Sequence, residues 1–208
     1  MRFILVAFVS LFVLSACTTT TPPTNTDLTI NDFSESSLFS GTDTNGLGIG
    51  FVTWGDFGAG AAIALDLDNG TLKINETTGG WGVGFTNAFT SSSQDVWQSQ
   101  DWSAYTGIRF KLKGSNSGGS IRMDLFDNRS TGSQVDDAER FFYNINDSSS
   151  DWQDVEIPFR SFARRTDWQP SGAPDDGLGL TEVYGYAFDF AGIAGNQTFY
   201  LDDIKLYK

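Results

Sequence analysis

The segment best suited to a chemical role is a short charged stretch that carries one tryptophan. Arg165, Asp167 and Trp168 stand within four residues, and Pro170 restricts the backbone just after them. A flat indole can stack on the C–H face of a pyranose, while charged groups exchange hydrogen bonds with its hydroxyls. The pattern is therefore typical of a sugar subsite. An exposed loop with an ordinary surface ion pair fits the same residues equally well.

The chemistry open to this chain is narrowed by the absence of histidine from all 208 residues. Without histidine there is no Ser-His-Asp or Cys-His site, and zinc loses its commonest ligand. Catalysis would have to use carboxylates, which Asp137, Glu139 and Asp167 could supply. A glycosidase needs two carboxyl groups at a set separation, one with a raised pKa. The sequence marks no such pair, so we predict binding without catalysis, with a small carboxylate-dependent glycoside hydrolase as the alternative.

The acidic balance of the chain excludes one class of partner. Lysines and arginines number 13 against 26 aspartates and glutamates, which gives a net charge of −13. Binding to nucleic acid requires a basic face, and so does adsorption to anionic lipid. We therefore predict no nucleic-acid partner, and we favour neutral sugars or cations as ligands.

The N-terminus has the features of an export signal. Arg2 precedes an apolar stretch over residues 3–14, which is too short to span a hydrocarbon core of ~30 Å. A Leu-Ser-Ala-Cys sequence ending at Cys17 resembles the bacterial lipobox, so residues 1–16 are predicted to be cleaved and Cys17 lipidated. Residues 17–27 are rich in threonine and proline and are predicted to form a tether. Together these features predict a protein anchored by lipid to a membrane of the bacterial cell envelope, facing the periplasm or the exterior.

Residues 28–208 have the pattern of a single all-β domain. Apolar and polar residues alternate at 108–113 and at 121–125, which is the period of a strand with one buried face. Loops rich in serine and glycine separate such runs, and no window keeps a helical period over three turns. Many short strands in a chain of this length predict an antiparallel β-sandwich of jelly-roll type. Trp102 and Trp152 lie just before strands and are expected to pack at the sandwich edge.

Several stretches resemble the family 11 carbohydrate-binding modules that accompany bacterial glucanases. Residues 31–35 (NDFSE) are similar to the family's opening, and residues 101–113 match a second segment. The strongest block runs over residues 137–170, and residues 201–206 (LDDIKL) close the match. The resemblance implies a jelly roll whose concave face binds one β-1,4 or mixed β-1,3/1,4 glucan chain. Such a linear polysaccharide and separate glycoside hydrolases are the implied partners.

The resemblance also assigns site residues position by position. Three fall on the family's arginine, aspartate and tyrosine, one on a cleft aspartate, and two near cleft tyrosines. A third family tyrosine aligns with Gly80, where the neighbouring Trp81 takes its place, and a further cleft aspartate aligns with Tyr184. Because phenylalanine replaces tyrosine twice, two hydroxyls are lost and another β-linked glycan remains open as the ligand. The implied carbohydrate-binding residues are Arg165, Asp167, Trp168, Asp137, Phe57, Phe190 and Trp81.

A structural calcium ion is implied by the same resemblance, at the place where the first and last strands meet. Asp32 and Asp202 are the implied ligands, with Glu35, Asp43 and Asn45 nearby. Calcium prefers six to eight oxygen ligands at ~2.4 Å, and this region is rich in them. Solvated acids in turns explain these residues equally well. A third function, a jelly roll that assembles other proteins, also stays open because a fold alone does not fix a function.

Overall fold

The computed structural model describes residues 26–208. This part of the chain contains thirteen β-strands and two 3-10 turns, Phe57–Ala59 and Phe159–Ser161. Among these described residues, none of the helical segments has the length and apolar character needed to span a membrane. The predicted signal sequence, Cys17 and all but the end of the tether lie outside the described residues. The strands in chain order are β1 (Leu28–Asn31), β2 (Ser40–Thr42), β3 (Gly48–Gly55), β4 (Ala62–Asp68), β5 (Thr71–Thr77), β6 (Val83–Ala88), β7 (Gly107–Lys113), β8 (Ser120–Asp127), β9 (Glu139–Asn146), β10 (Trp152–Pro158), β11 (Ala163–Arg164), β12 (Val183–Gly192) and β13 (Asn196–Tyr207).

The strands form two antiparallel sheets that pack face to face. Sheet A has the order β10-β7-β13-β5-β4, and β1 pairs with the C-terminal part of β13. Sheet B has the order β11-β9-β8-β12-β6-β3-β2. The predicted antiparallel sandwich of jelly-roll type is therefore confirmed.

Side-chain alternation builds the core between the sheets. The apolar residues of β7 in sheet A, Ile108, Phe110 and Leu112, are buried, and the basic residues between them face outward. From sheet B, the apolar residues of β8 at 121, 123 and 125 are fully buried. Each such side chain contributes roughly 1.5–3 kcal/mol through burial. Both alternations predicted from the sequence are confirmed.

The two tryptophans expected to pack at the sandwich edge have different environments. Trp102 is fully buried, with its ring centroid 5.8 Å from that of Phe159. Trp152, the first residue of β10, is 45% exposed, so the prediction was wrong for this residue. The reason is its register: Trp152 pairs directly with Lys113, whose side chain points away from the core, and cross-strand partners share a face.

Candidate functional site

The candidate site lies on the outer face of sheet B. Five residues directly across from one another form a row over strands β3, β6, β12, β8 and β9. At ~4.8 Å per strand the row is about 19 Å long. It is aromatic at one end and charged in the middle. From β3 to β9 it consists of Trp54, Gly84, Asp189, Arg122 and Asn144.

The aromatic end is a stack of two indoles. Trp54 and Trp81 have ring centroids 6.1 Å apart and planes only 12° from parallel. The Nε1–H of Trp54 donates to the hydroxyl of Thr86 at 3.1 Å, which fixes the lower ring. Gly84 leaves room for that ring, because a Cβ there would lie 2.5 Å from it. The upper ring, Trp81, is 65% exposed and presents a flat apolar surface to solvent.

The centre of the face is a network of two arginines and three aspartates. Arg122 lies on β8 and forms ion pairs with Asp189 of β12, with Asp124 at 3.1 Å and with Asp167 at 3.2 Å. Arg165 pairs with the same Asp124 at 2.9 Å and with Asp167 at 2.7 Å. Each guanidinium is thus held by more than one carboxylate. This sharing fixes the donors and acceptors in place before any ligand arrives.

The two shared carboxylates have opposite pKa changes. Hydrogen bonds from Arg165 lower the pKa of Asp167 to about 2, and the charges of Arg165 and Arg122 act in the same direction. Burial raises the pKa of Asp124 to about 6, although the two arginines oppose this rise. Asp167 is therefore a carboxylate throughout the physiological pH range and can accept hydrogen bonds from a ligand.

The loop that follows β11 completes the site next to the charged centre. Trp168 is 52% exposed, and the Arg165 guanidinium carbon lies 5.5 Å from its ring centroid. Gln169 attaches this loop to β9: its amide accepts from the N–H of Arg140 and donates to the Arg140 carbonyl, both at 2.9 Å. It also donates to the Arg165 carbonyl at 3.0 Å. Trp168 is therefore an exposed ring on an anchored loop.

The structure brings together most of the residues expected from the sequence. Arg165 and Asp167 belong to the charged centre with Trp168 beside them, and Trp81 lies at the aromatic end. Phe57 is 54% exposed, and its 3-10 turn adjoins the turn that carries Trp81, through a hydrogen bond from the Asp56 N–H to the Gly82 carbonyl at 3.0 Å. These residues therefore lie along one face of sheet B.

Phe190 does not belong to the site, so its assignment was wrong. The side chain is 1% exposed and lies in the core, with its ring centroid 5.0 Å from that of Phe199. Successive residues of a strand point to opposite faces, so β12 directs Phe190 inward and its neighbour Asp189 outward. The binding position is therefore one residue away from the one expected.

Asp137 is also misassigned, because its carboxylate is used inside a loop. It lies just before β9, is 3% exposed, and accepts hydrogen bonds from the Arg129 Nε at 3.4 Å and the Ser130 N–H at 3.2 Å. Burial acts to raise its pKa, but hydrogen bonds from Ser133 and Ser130 outweigh burial and leave the pKa lowered. Asp137 stabilises the β8–β9 connection, and its carboxylate is buried rather than presented to a ligand.

Four site residues were missed from the sequence. Each carries a polar or aromatic side chain on the outward side of a strand whose other side is core. The usable signal was the alternation itself, since Asp189 separates two buried phenylalanines on β12. The missed residues are Trp54, Arg122, Asp124 and Asp189.

The region expected to hold calcium does not gather enough carboxylates. Asp32 follows β1, and Asp202 lies on β13, so the first and last strands do meet here. Asp32 is exposed and accepts from the Ser34 hydroxyl at 2.8 Å, while Asp203 is neutralised by Lys111 and Lys205. Within residues 26–208 no group of three or more acidic, histidine or cysteine side chains is arranged to hold a metal. These donors fit calcium poorly, and the calcium site stays a prediction.

Comparisons with known proteins identify the family. The pattern of the carbohydrate binding domain (family 11) matches residues 17–208. Endoglucanase H of Acetivibrio thermocellus is 31% identical over 166 residues, which are 76% of this chain and 17% of that protein. The chain thus spans only 17% of this relative's length.

Two solved structures have a similar fold. The family 11 module of the cellulase Lic26A-Cel5E from Clostridium thermocellum has a TM-score of 0.64 and 22% identity, over 88% of this chain and 94% of that one. A family 11 module of the same organism, in complex with a β-1,3-1,4-mixed-linked tetrasaccharide, has a TM-score of 0.64 and 24% identity, over 87% and 95% of the two chains. By the family pattern and the shared fold, the chain belongs to the family 11 carbohydrate-binding modules, which bind polysaccharide and are not themselves catalytic.

Proposed function

We propose that the outer face of sheet B binds a single linear β-glucan chain, linked β-1,4 or mixed β-1,3/1,4. The observation that carries this proposal is the position of two exposed indoles. Trp81 lies near β3 and β6, and Trp168 lies beyond β9, with the arginine–aspartate network between them. A chain laid across the strands would stack one sugar on each ring and pass its hydroxyls over the charged centre.

Charge-assisted hydrogen bonds would fix the orientation of the chain. Asp167 accepts from sugar hydroxyls because it stays ionised, and Arg122 and Arg165 donate to hydroxyl and ring oxygens. A sugar is neutral, so binding it leaves the net charge of the network unchanged. Each sugar hydroxyl that bonds to a charged side chain replaces a water molecule. The ion pairs among these residues hold their positions in the absence of ligand, which reduces the ordering cost of binding.

The mixed-linked preference draws support from a relative. A family 11 module of similar fold was solved with a β-1,3-1,4-mixed-linked tetrasaccharide. A β-1,3 linkage bends a glucan chain, and the indoles here lie on separate turns at the two ends of a row about 19 Å long. A bent glucan chain is therefore the expected ligand.

The proposed location is the bacterial cell envelope. The Leu-Ser-Ala-Cys sequence ending at Cys17 would attach the module to a membrane by lipid, and the module would hold glucan there for separate glycoside hydrolases. The match to one part of Endoglucanase H supports such a partnership with hydrolases.

Calorimetry and affinity electrophoresis with lichenan, cellohexaose, xylan and laminarin test the proposed function. We expect the purified protein to bind lichenan, and we expect Trp168→Ala to weaken binding by about 1–3 kcal/mol, the usual loss for an anchoring aromatic. Trp152→Ala removes a similarly exposed tryptophan (45% against 52%) from the opposite sheet and should leave lichenan binding unchanged. Equal lichenan affinity of wild type and Trp168→Ala would refute the placement of the site. Release of reducing sugar would instead favour the glycoside hydrolase.

A further inference from the structure

A second row of aromatic and charged side chains lies on the outer face of sheet A, on the opposite side of the sandwich. Trp152 of β10 and Tyr200 of β13 both pair directly with Lys113 of β7, and Lys73 of β5 pairs with Tyr200. Cross-strand partners share a face, so these four residues form one row over three strand spacings, ~14 Å, and Asp66 of β4 lies directly across from Lys73 at its end. We call it the sheet-A row.

The rings of the sheet-A row form an angled surface. The centroids of Trp152 and Tyr200 are 6.3 Å apart, and the ring planes are inclined by 58°. The Lys113 ammonium lies 5.4 Å from the Tyr200 centroid, within the range of a cation–π contact. A flat crystalline polymer surface cannot contact two rings inclined in this way. A single chain can, with one sugar against the exposed face of Trp152.

The two lysines of the sheet-A row differ from the nearby lysines of sheet A in that they form no ion pairs within residues 26–208. Further along the same two strands, Lys111 of β7 and Lys205 of β13 both form ion pairs with Asp203, at 2.9 and 2.8 Å. In the described part of the chain, neither Lys73 nor Lys113 forms an ion pair, although acidic residues outnumber basic ones two to one in the sequence. Tyr200 is therefore flanked by two ammonium groups that form no ion pair among the described residues. Asp66 is the cross-strand partner of Lys73, whereas both cross-strand partners of Lys113 are aromatic.

We propose that the sheet-A row is a second glycan site, which binds a β-linked polysaccharide carrying scattered uronate groups. The aromatic rings contact the sugar, and the ammonium groups of Lys73 and Lys113 pair with a uronate carboxylate. The net charge of −13 limits the charge density of the ligand. A polymer with a charge on every unit, or a nucleic acid, would be repelled by the rest of the surface. This site does not depend on neutral-glucan binding by sheet B.

The test compares glucuronoxylan with the same polymer after its uronates have been reduced to neutral sugars. We expect the wild-type protein to bind the native polymer about tenfold more tightly than the reduced one, and about 1 M salt to abolish the difference because the Debye length falls to ~3 Å. Trp152→Ala should weaken binding to the native polymer about tenfold. The double variant Lys73→Gln/Lys113→Gln should bind both polymers equally.

Lichenan binding and thermal melting serve as controls for these surface variants. Both variants should keep the wild-type lichenan affinity and unfold cooperatively, because neither changes sheet B or the core. Equal wild-type binding to the native and reduced polymers would overturn the proposal, and so would tighter binding to single-stranded DNA than to glucuronoxylan. If the wild-type protein failed to bind lichenan, only the sheet-B proposal would fail. The difference in affinity between native and reduced glucuronoxylan measures uronate binding by the sheet-A row and does not depend on lichenan binding.

Discussion

Glu76 is a buried acid whose ionisation should oppose folding, and its replacement by glutamine tests this. The side chain points inward from β5, beside Leu72 and Ile74, and is 3% exposed. The Thr78 hydroxyl donates to its Oε2 at 3.0 Å, while Oε1 has no partner in residues 26–208. Burial raises the pKa of Glu76 to about 7, and the Thr78 hydrogen bond offsets only part of this rise.

The direction of the pH effect follows from the two protonation states. An unfolded chain releases this proton near pH 4.5, whereas the folded protein keeps it until about pH 7. Between these values the folded state binds more protons, so the stability falls as the pH rises through this window and levels off above it. A pKa difference of about 2.5 corresponds to about 3 kcal/mol. Glu76→Gln should therefore gain about 3 kcal/mol at pH 8 and nearly nothing from this cause at pH 4.

Urea denaturation of the wild type and Glu76→Gln at both pH values measures this difference. Glu182→Gln is the matched control, since it removes an exposed carboxylate and should change the free energy of unfolding little at either pH. Other buried acids give the wild type its own pH dependence, but they are shared by the variant and cancel in the comparison. If Glu76→Gln changed the free energy of unfolding equally at pH 4 and pH 8, the assignment of the raised pKa would be refuted.

Three further predictions concern the loop, the metal and the anchor. Gln169→Ala should release the Trp168 loop and weaken lichenan binding about tenfold. Unchanged lichenan affinity in this variant would contradict the prediction. If calcium supports the fold, EDTA should lower the melting temperature. A loss of about 1 kcal/mol would lower it by ~2–4 °C in a domain of this size. Asp32→Ala/Asp202→Ala should abolish the effect of EDTA. An EDTA-insensitive melting temperature would contradict the calcium prediction. Cys17→Ser should abolish palmitate labelling and release the protein from the membrane fraction, and label retained in the variant would argue against lipidation.

The sandwich was predictable because a strand with one buried face has alternating apolar and polar residues in its sequence. The alternation at residues 108–113 has a period of two, which identifies both the strand and the side that is buried. The same pattern did not place Trp152, because its exposure depends on pairing with Lys113. The register between two strands distant in sequence is set by packing of the whole sheet and is not readable from either strand alone.

The candidate site was only partly predictable for the same reason. The loop with Arg165, Asp167 and Trp168 is contiguous in sequence, so its chemistry is visible there. Arg122 and Asp189 join it only because β8 and β12 are neighbours in sheet B. A shift of one residue along a strand reverses the face, which is why Phe190 was chosen where Asp189 stands. Carrying a residue over from a family by position is least secure within strands.

The amide of Gln169, bonded to β9 on both its oxygen and its nitrogen, bears on how ligands are told apart. A binding site whose side chains are held in place before the ligand arrives favours ligands that already have the matching conformation. Polymers whose preferred backbone curvature already brings their sugars onto these fixed side chains would bind with little loss of torsional freedom, whereas stiffer or differently kinked ones would have to distort. Discrimination among linkages would then reside mainly in the sugar's conformational preferences rather than in any closing motion of the protein.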